Sequence, residues 1–118
     1  MPHYTIREIA EEFNLTFRTL RFWENRGLIM PARDGTERTY SERDRKTLAK
    51  IVHWRQQQFT VEEVKIALAR GGFSTEQLRG QLAFLLETRR GVEQAISEIK
   101  REIGGEHSDP LPRNIHSA

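Results

Sequence analysis

Cysteine is absent from the 118 residues, which excludes disulfides, thiolate zinc sites, thiol redox switches and cysteine nucleophiles together. Long apolar runs are missing too. No stretch reaches the roughly 18 apolar residues of a membrane span, and Met1 to Arg7 lacks the apolar segment of a signal peptide. Hydrophobic residues make up only 36% of the chain against 31% charged, so a large core around a deep substrate pocket is not expected. No Ser-His-Asp set and no glycine-rich phosphate loop occurs, and the carboxylates are scattered over cap and surface positions. His107 and His116 stand in a polar tail without the fixed geometry a metal site needs. The expectation is a cytoplasmic protein that is not an enzyme and holds no cofactor or metal, built as one modest domain or as one small domain with an extension.

What the sequence does have is an uneven charge. Thr16 to Arg55 holds ten Lys or Arg against five acids (Glu24, Asp34, Glu37, Glu42 and Asp44), although the whole chain carries only +2. Arginine dominates, and its planar fork suits phosphate oxygens and guanine edges better than lysine does. A solvated helix face would look similar, so the charge needs a scaffold before it means nucleic acid.

The scaffold is legible in helix-start and helix-stop signals. Thr5 with Glu8 makes a capping box ahead of Ile6, Ile9, Ala10 and Phe13 at helical spacing. Asn14-Leu15 breaks that helix, Thr16 caps a second one carrying Leu20 and Phe22-Trp23, and Gly27 ends it. Two short helices joined by a tight turn have the dimensions of a helix-turn-helix. Leu28 to Met30 reads as a short strand, Asp34-Gly35 as a hairpin turn and Arg38 to Tyr40 as the return strand, together a basic wing. Ser41 with Asp44 starts a helix striped by Leu48, Ile51, Val52 and Trp54. Thr60 with Glu63 starts another, closed by Gly71-Gly72.

Ser74 with Gln77 opens the last element. From there Leu78, Leu82, Leu85, Arg89, Val92, Ile96, Ile99 and Ile103 follow at alternating steps of four and three, a heptad seam interrupted once by Arg89. Helical from Thr75 to Ile103, it would run about 43 Å, too long to bury its seam on a small domain. A partner helix is implied. Gly104-Gly105 is expected to end it, and the tail beyond has no periodicity and reads as disordered.

A helix-turn-helix presents the start of its second helix to a major groove. Here that start offers Thr16, Arg18 and Thr19, with Arg21 and Phe22 one turn on. Arg18 can read guanine bidentately, and the threonine hydroxyls can meet phosphates. Leu20, Trp23 and Trp54 read as core anchors. Because Phe22 and Trp23 are adjacent on a helix, Phe22 goes to the DNA side and Trp23 stands between the two roles.

Tyr4-Thr5-Ile6, Ile9-Ala10, Arg18 to Glu24, Arg26 to Ile29, Pro31-Ala32-Arg33, Arg38 to Ser41 and Asp44, taken in order, resemble the mercuric-resistance-regulator (MerR) family. The similarity runs from about Tyr4 to Leu68, and the later seam is similar to that family's dimerisation helix. The resemblance implies a mainly α fold: a winged helix-turn-helix domain followed by a long C-terminal dimerisation helix in an antiparallel coiled coil. It implies a homodimeric transcription regulator on a pseudo-palindromic promoter, which it bends and untwists so that RNA polymerase can use a spacer of awkward length. Thr16, Arg18 and Thr19 fall where the family reads the groove, and Arg21 and Phe22 where it touches the backbone, with Trp23 beside them. Arg33, Arg38 and Tyr40 fall in the wing, and Arg55 matches a basic residue that touches phosphate.

Several positions depart from the pattern. Phe22 and Trp23 replace tyrosines, Glu37 stands where an aromatic precedes the wing arginine, and Gln58 replaces a glycine. Neither the metal-binding cysteines of some members nor the large ligand domain of others is matched. The expected organisation is residues 1–72 as the DNA-binding domain, 73–104 as the dimerisation helix and 105–118 as tail. Leu78, Leu82, Leu85, Val92, Ile96, Ile99 and Ile103 are the expected dimer contacts. Two other readings compete: an adaptor whose coiled coil recruits a partner, and an architectural or excisionase-like DNA binder.

Overall fold

The computed structural model of the protein describes residues 2–105, which divide after Phe73 into two compact units. The tail expected from residue 105 lies, apart from Gly105 itself, outside the described residues.

The first unit begins with a short strand that no sequence signal marked, β1 (His3–Thr5). It is followed by α1 (Ile6–Phe13), α2 (Phe17–Asn25), β2 (Ala32–Asp34), β3 (Glu37–Ser41), α3 (Glu42–Gln56) and α4 (Val61–Arg70). The strands form one antiparallel sheet in the order β1-β3-β2, with Tyr4 opposite Tyr40 and Arg33 opposite Arg38. Every expected N-cap is in place: Thr5 with Glu8, Ser41 with Asp44 and Thr60 with Glu63 are reciprocal capping boxes, and Thr16 accepts from the Thr19 N–H.

The stop signals are equally physical. After each of these four helices one residue turns left-handed: Asn14, Gly27, Gln58 and Gly71. The next amide then reaches back to a carbonyl one turn inside, as Leu15 does to Ala10 (2.9 Å), Leu28 to Trp23 (2.9 Å), Phe59 to Trp54 (3.2 Å) and Gly72 to Ala67 (2.8 Å). This is the Schellman closure, which satisfies otherwise orphaned helix carbonyls.

That closure corrects the expected strand at Leu28 to Met30. The Leu28 amide is spent capping α2, and the side chains of Leu28 and Ile29 both enter the core rather than alternating across a sheet. The wing's outer strand starts instead at Ala32, just past Pro31, which has no N–H for a ladder. The hairpin loop is correspondingly one residue later than expected. Asp34 pairs with Glu37, leaving Gly35-Thr36 as the two-residue turn with Gly35 at φ 69°.

Ile9, Leu20, Trp23, Leu28, Ile29, Tyr40, Leu48, Ile51, Phe59 and Val64 form the core, joining all four helices to the central strand. Phe73 stacks on Phe59 at 3.8 Å and meets the Trp54 edge at 5.2 Å. The second unit is α5 (Thr75–Gly105), opened by a reciprocal hydrogen-bond pair between Ser74 and Gln77. Gly104 and Gly105 are themselves helical, two residues beyond the expected last helical position at Ile103. Its apolar seam is open: Leu78, Leu82, Val92, Ile96, Ile99 and Ile103 are all exposed.

Candidate nucleic-acid interface

The start of α2 is built to hold its exposed side chains still. Thr16 Oγ1 accepts the Thr19 amide at 3.0 Å and donates its own proton to Thr19 Oγ1 at 3.0 Å. The Thr16 hydroxyl is therefore committed to the cap, while the Thr19 hydroxyl keeps its proton free to donate outward. Leu20 and Trp23 anchor the inward face of the helix, and Arg18, Arg21 and Phe22 stand on the exposed one. Phe22 lies under the Arg26 guanidinium, 5.8 Å from its ring centre, and Arg26 is ion-paired to Glu62 on α4.

Among the described residues neither Arg18 nor Arg21 makes an ion pair, whereas four neighbouring arginines do. Glu24, one turn beyond Leu20, receives two of them. Its Oε1 accepts from Arg38 Nε at 2.6 Å, and its Oε2 lies 3.5 Å from the Arg33 guanidinium. One carboxylate on α2 thus holds both strands of the wing.

This geometry changes the standing of several expected contacts. Arg38 is largely enclosed and occupied by Glu24, so it braces the wing, while Arg33 is half exposed and keeps donors free. Trp23 and Tyr40 are both buried. Trp23 shares the buried stripe of Leu20, and Tyr40 has no exposed surface. Alternation along β3 turns Tyr40 to the same side as Arg38, toward α2. Among the described residues the Tyr40 hydroxyl has no hydrogen-bond partner, and burial pushes its ionisation above the usual phenol value, with the Glu24 charge adding to it. Neither aromatic is open to a duplex in this conformation. Arg55, at the end of α3, gives one donor to the Phe59 carbonyl and remains exposed.

Sequence reasoning missed two features. The first is Arg7, on the opening turn of α1. It lines a groove of about 500 Å³ with Phe17 and Arg21 of α2 and with Thr36, Glu37 and Arg38 of the wing. Nothing in the local sequence says that the start of α1 meets the wing; the pairing of β1 with β3 brings them together. The second is an ionic cluster. Arg45 on α3 pairs with Glu12 of α1 (2.6 Å) and Glu42 (3.1 Å), and Glu42 accepts the Tyr4 hydroxyl at 2.7 Å. The Arg45 contact is the main reason that Glu12 sits below the usual carboxylate range, and the Tyr4 hydrogen bond is the main one for Glu42. Among the described residues no group of His, Asp and Glu side chains could hold a metal ion.

Comparison with known proteins places this geometry. The family model described as MerR HTH family regulatory protein matches residues 4–71. The HTH-type transcriptional activator mta of Bacillus subtilis is 27% identical over 110 residues. That match covers 87% of this chain but only 43% of the activator, so the chain spans less than half of that relative's length. A MerR-family transcriptional regulator from Bacillus cereus superposes with a TM-score of 0.84 at 19% identity, over 95% of this chain and 88% of its own. HiNmlR, a MerR-family regulator lacking the sensor domain and solved bound to promoter DNA, superposes with a TM-score of 0.55 at 21% identity, over 87% and 80%.

Proposed function

Because this chain belongs to the MerR HTH family of regulatory proteins, we propose that it acts as a homodimeric, sequence-specific transcription regulator on a pseudo-palindromic promoter. The observation that carries the DNA-reading part is the selective pairing of arginines. Arg26, Arg33, Arg38 and Arg45 each meet a carboxylate, while Arg18 and Arg21 on the exposed face of α2 do not. Unpaired guanidiniums on a rigidly capped helix are pre-organised for an external anion or base edge.

In this reading Arg18 and Thr19 meet base edges from within the major groove, with Thr16 holding the helix start, and Arg21 and Phe22 lie along the backbone. Arg33 and Arg55 reach phosphates, while Arg38 keeps the wing in place through Glu24. The α5 seam of Leu78, Leu82, Leu85, Val92, Ile96, Ile99 and Ile103 pairs with a second copy and supplies two reading helices for two half-sites. Promoter-bound HiNmlR supports the DNA partner by analogy of fold. Distortion of the operator centre, and with it the engagement of RNA polymerase, belongs to the same reading; a circular-permutation gel shift showing straight DNA would remove it.

Salt-titrated binding to a selected operator and to scrambled duplex tests the whole. Steep salt dependence with sequence preference supports a regulator, salt dependence alone an architectural binder, and no binding an adaptor. Arg18→Ala should cost about 1–3 kcal/mol on the operator and relax preference at one base pair per half-site. Arg33→Ala should weaken both DNAs alike and lower the salt slope by roughly one. Equal losses on both DNAs for Arg18→Ala would take it out of the reading role.

A further inference from the structure

The groove between the first turns of α1 and α2 and the tip of the wing combines three features. Arg7 and Arg21 line it from two helices, both exposed and neither ion-paired among the described residues. Thr36 lines the wing side. Glu37, also exposed and without an ion-pair partner among the described residues, is the acid of that lining. The third arginine, Arg38, is already held by Glu24 and brings no free charge. Two uncompensated cations in a concave site select an anion, and one acid among them opposes it.

We propose that this groove seats a phosphate of the DNA backbone between Arg7 and Arg21, and that Glu37 is a built-in counter-charge that holds the affinity for DNA down. The inference rests on the DNA-binding reading and adds to it a contact from α1 and a restraint from the wing. Arg21 lies one turn from Arg18 on the same helix, so a strand whose bases meet Arg18 runs its backbone past Arg21. Arg7 faces that backbone from the other wall. Glu37 stands next to the braced Arg38 and is paired with Asp34 across the hairpin, so its backbone is held at the wing tip beside the groove.

The two residues act with opposite sign, which makes the test decisive. Arg7→Gln, Glu37→Gln and the double variant are titrated with a mixed-sequence DNA duplex and with a selected operator across a range of sodium chloride. Arg7→Gln should weaken binding to both DNAs by roughly three- to tenfold and lower the salt slope by about one. Glu37→Gln should tighten binding to both by roughly the same factor, a gain that damage to the fold cannot produce. In the double variant the gain from Glu37→Gln should shrink, because the phosphate it repels is no longer held in place. If wild-type protein binds duplex with steep salt dependence while both single variants stay within about twofold of it, the groove is not a phosphate site and the inference falls. If Glu37→Gln weakens binding, the counter-charge role is wrong. Failure of the wild-type protein to bind either duplex in a salt-dependent way overturns the DNA-binding reading itself, and this inference with it.

Discussion

Gln58 holds a backbone conformation that its side chain does not favour. It closes α3 at φ 69°, in the left-handed region where Asn14, with its short locally bonding side chain, and glycines close the neighbouring helices. For a residue with a Cβ and a long stem, that region costs on the order of 1–2 kcal/mol, part of which a glycine would lose again through its more mobile unfolded chain. Gln58→Gly should therefore stabilise the winged unit by about 0.5–1 kcal/mol, read as a higher urea midpoint at unchanged slope. An unchanged or lower midpoint would mean that the turn carries no strain. Glycine's usual place there made the residue visible in the sequence. Trp23 and Tyr40 were harder to place. The spacing that puts Trp23 on the inward stripe with Leu20 was legible, but the side of β3 that meets α2 was not, because it depends on β1 completing the sheet.

The elements of the wing hang on one carboxylate. Glu24 reaches Arg38 on β3 and Arg33 on β2, and two half-buried, charge-assisted contacts of this kind are worth more than a surface pair. Glu24→Gln should lower the stability of the winged unit by about 1–2 kcal/mol and speed amide exchange along β2 and β3 more than along α1. Uniform exchange would show that the strands hold the wing without α2. The Arg45 cluster joins α1 to α3 and gives stability a pH dependence. Glu12 and Glu42 are both held below the usual carboxylate range, so they favour the folded state above their unfolded values and lose that contribution as pH falls through the folded ones. Arg45→Met should melt earlier than wild type at neutral pH, with the gap closing as the solution is acidified through the carboxylate range. A gap independent of pH would assign Arg45 a packing role only. The N-caps of every helix were readable because each is decided by residues three apart. The side-chain contacts between elements were not, since partners such as Arg26 and Glu62, Arg38 and Glu24, Arg45 and Glu12 or Tyr4 and Glu42 lie far apart in sequence.

For the whole molecule, the open seam of α5 bears on the proposed dimer. Its six exposed Leu, Val and Ile side chains would each contribute roughly 1.5–3 kcal/mol if covered, enough to outweigh the entropy lost on pairing. Leu85→Asp should give a monomer by light scattering at micromolar concentration, with loss of binding to a full operator. A wild-type monomer under the same conditions would dismiss the dimer.

The same seam also reads alike from both ends. Laid antiparallel on a copy of itself, Leu78 meets Ile103, Leu82 meets Ile99, Leu85 meets Ile96, and Arg89 meets Val92. Every apolar position but Val92 finds an apolar partner in that one alignment, and sliding by a heptad strands either Ile99 and Ile103 or Leu78 and Leu82 at a free end. The polar interruption falls beside the midpoint. Two copies of Arg89 would then flank the symmetry axis, repelling each other where the apolar contacts are thinnest. A pair of helices zipped so would be held at its tips and loosest in its middle, and would part from the centre outward.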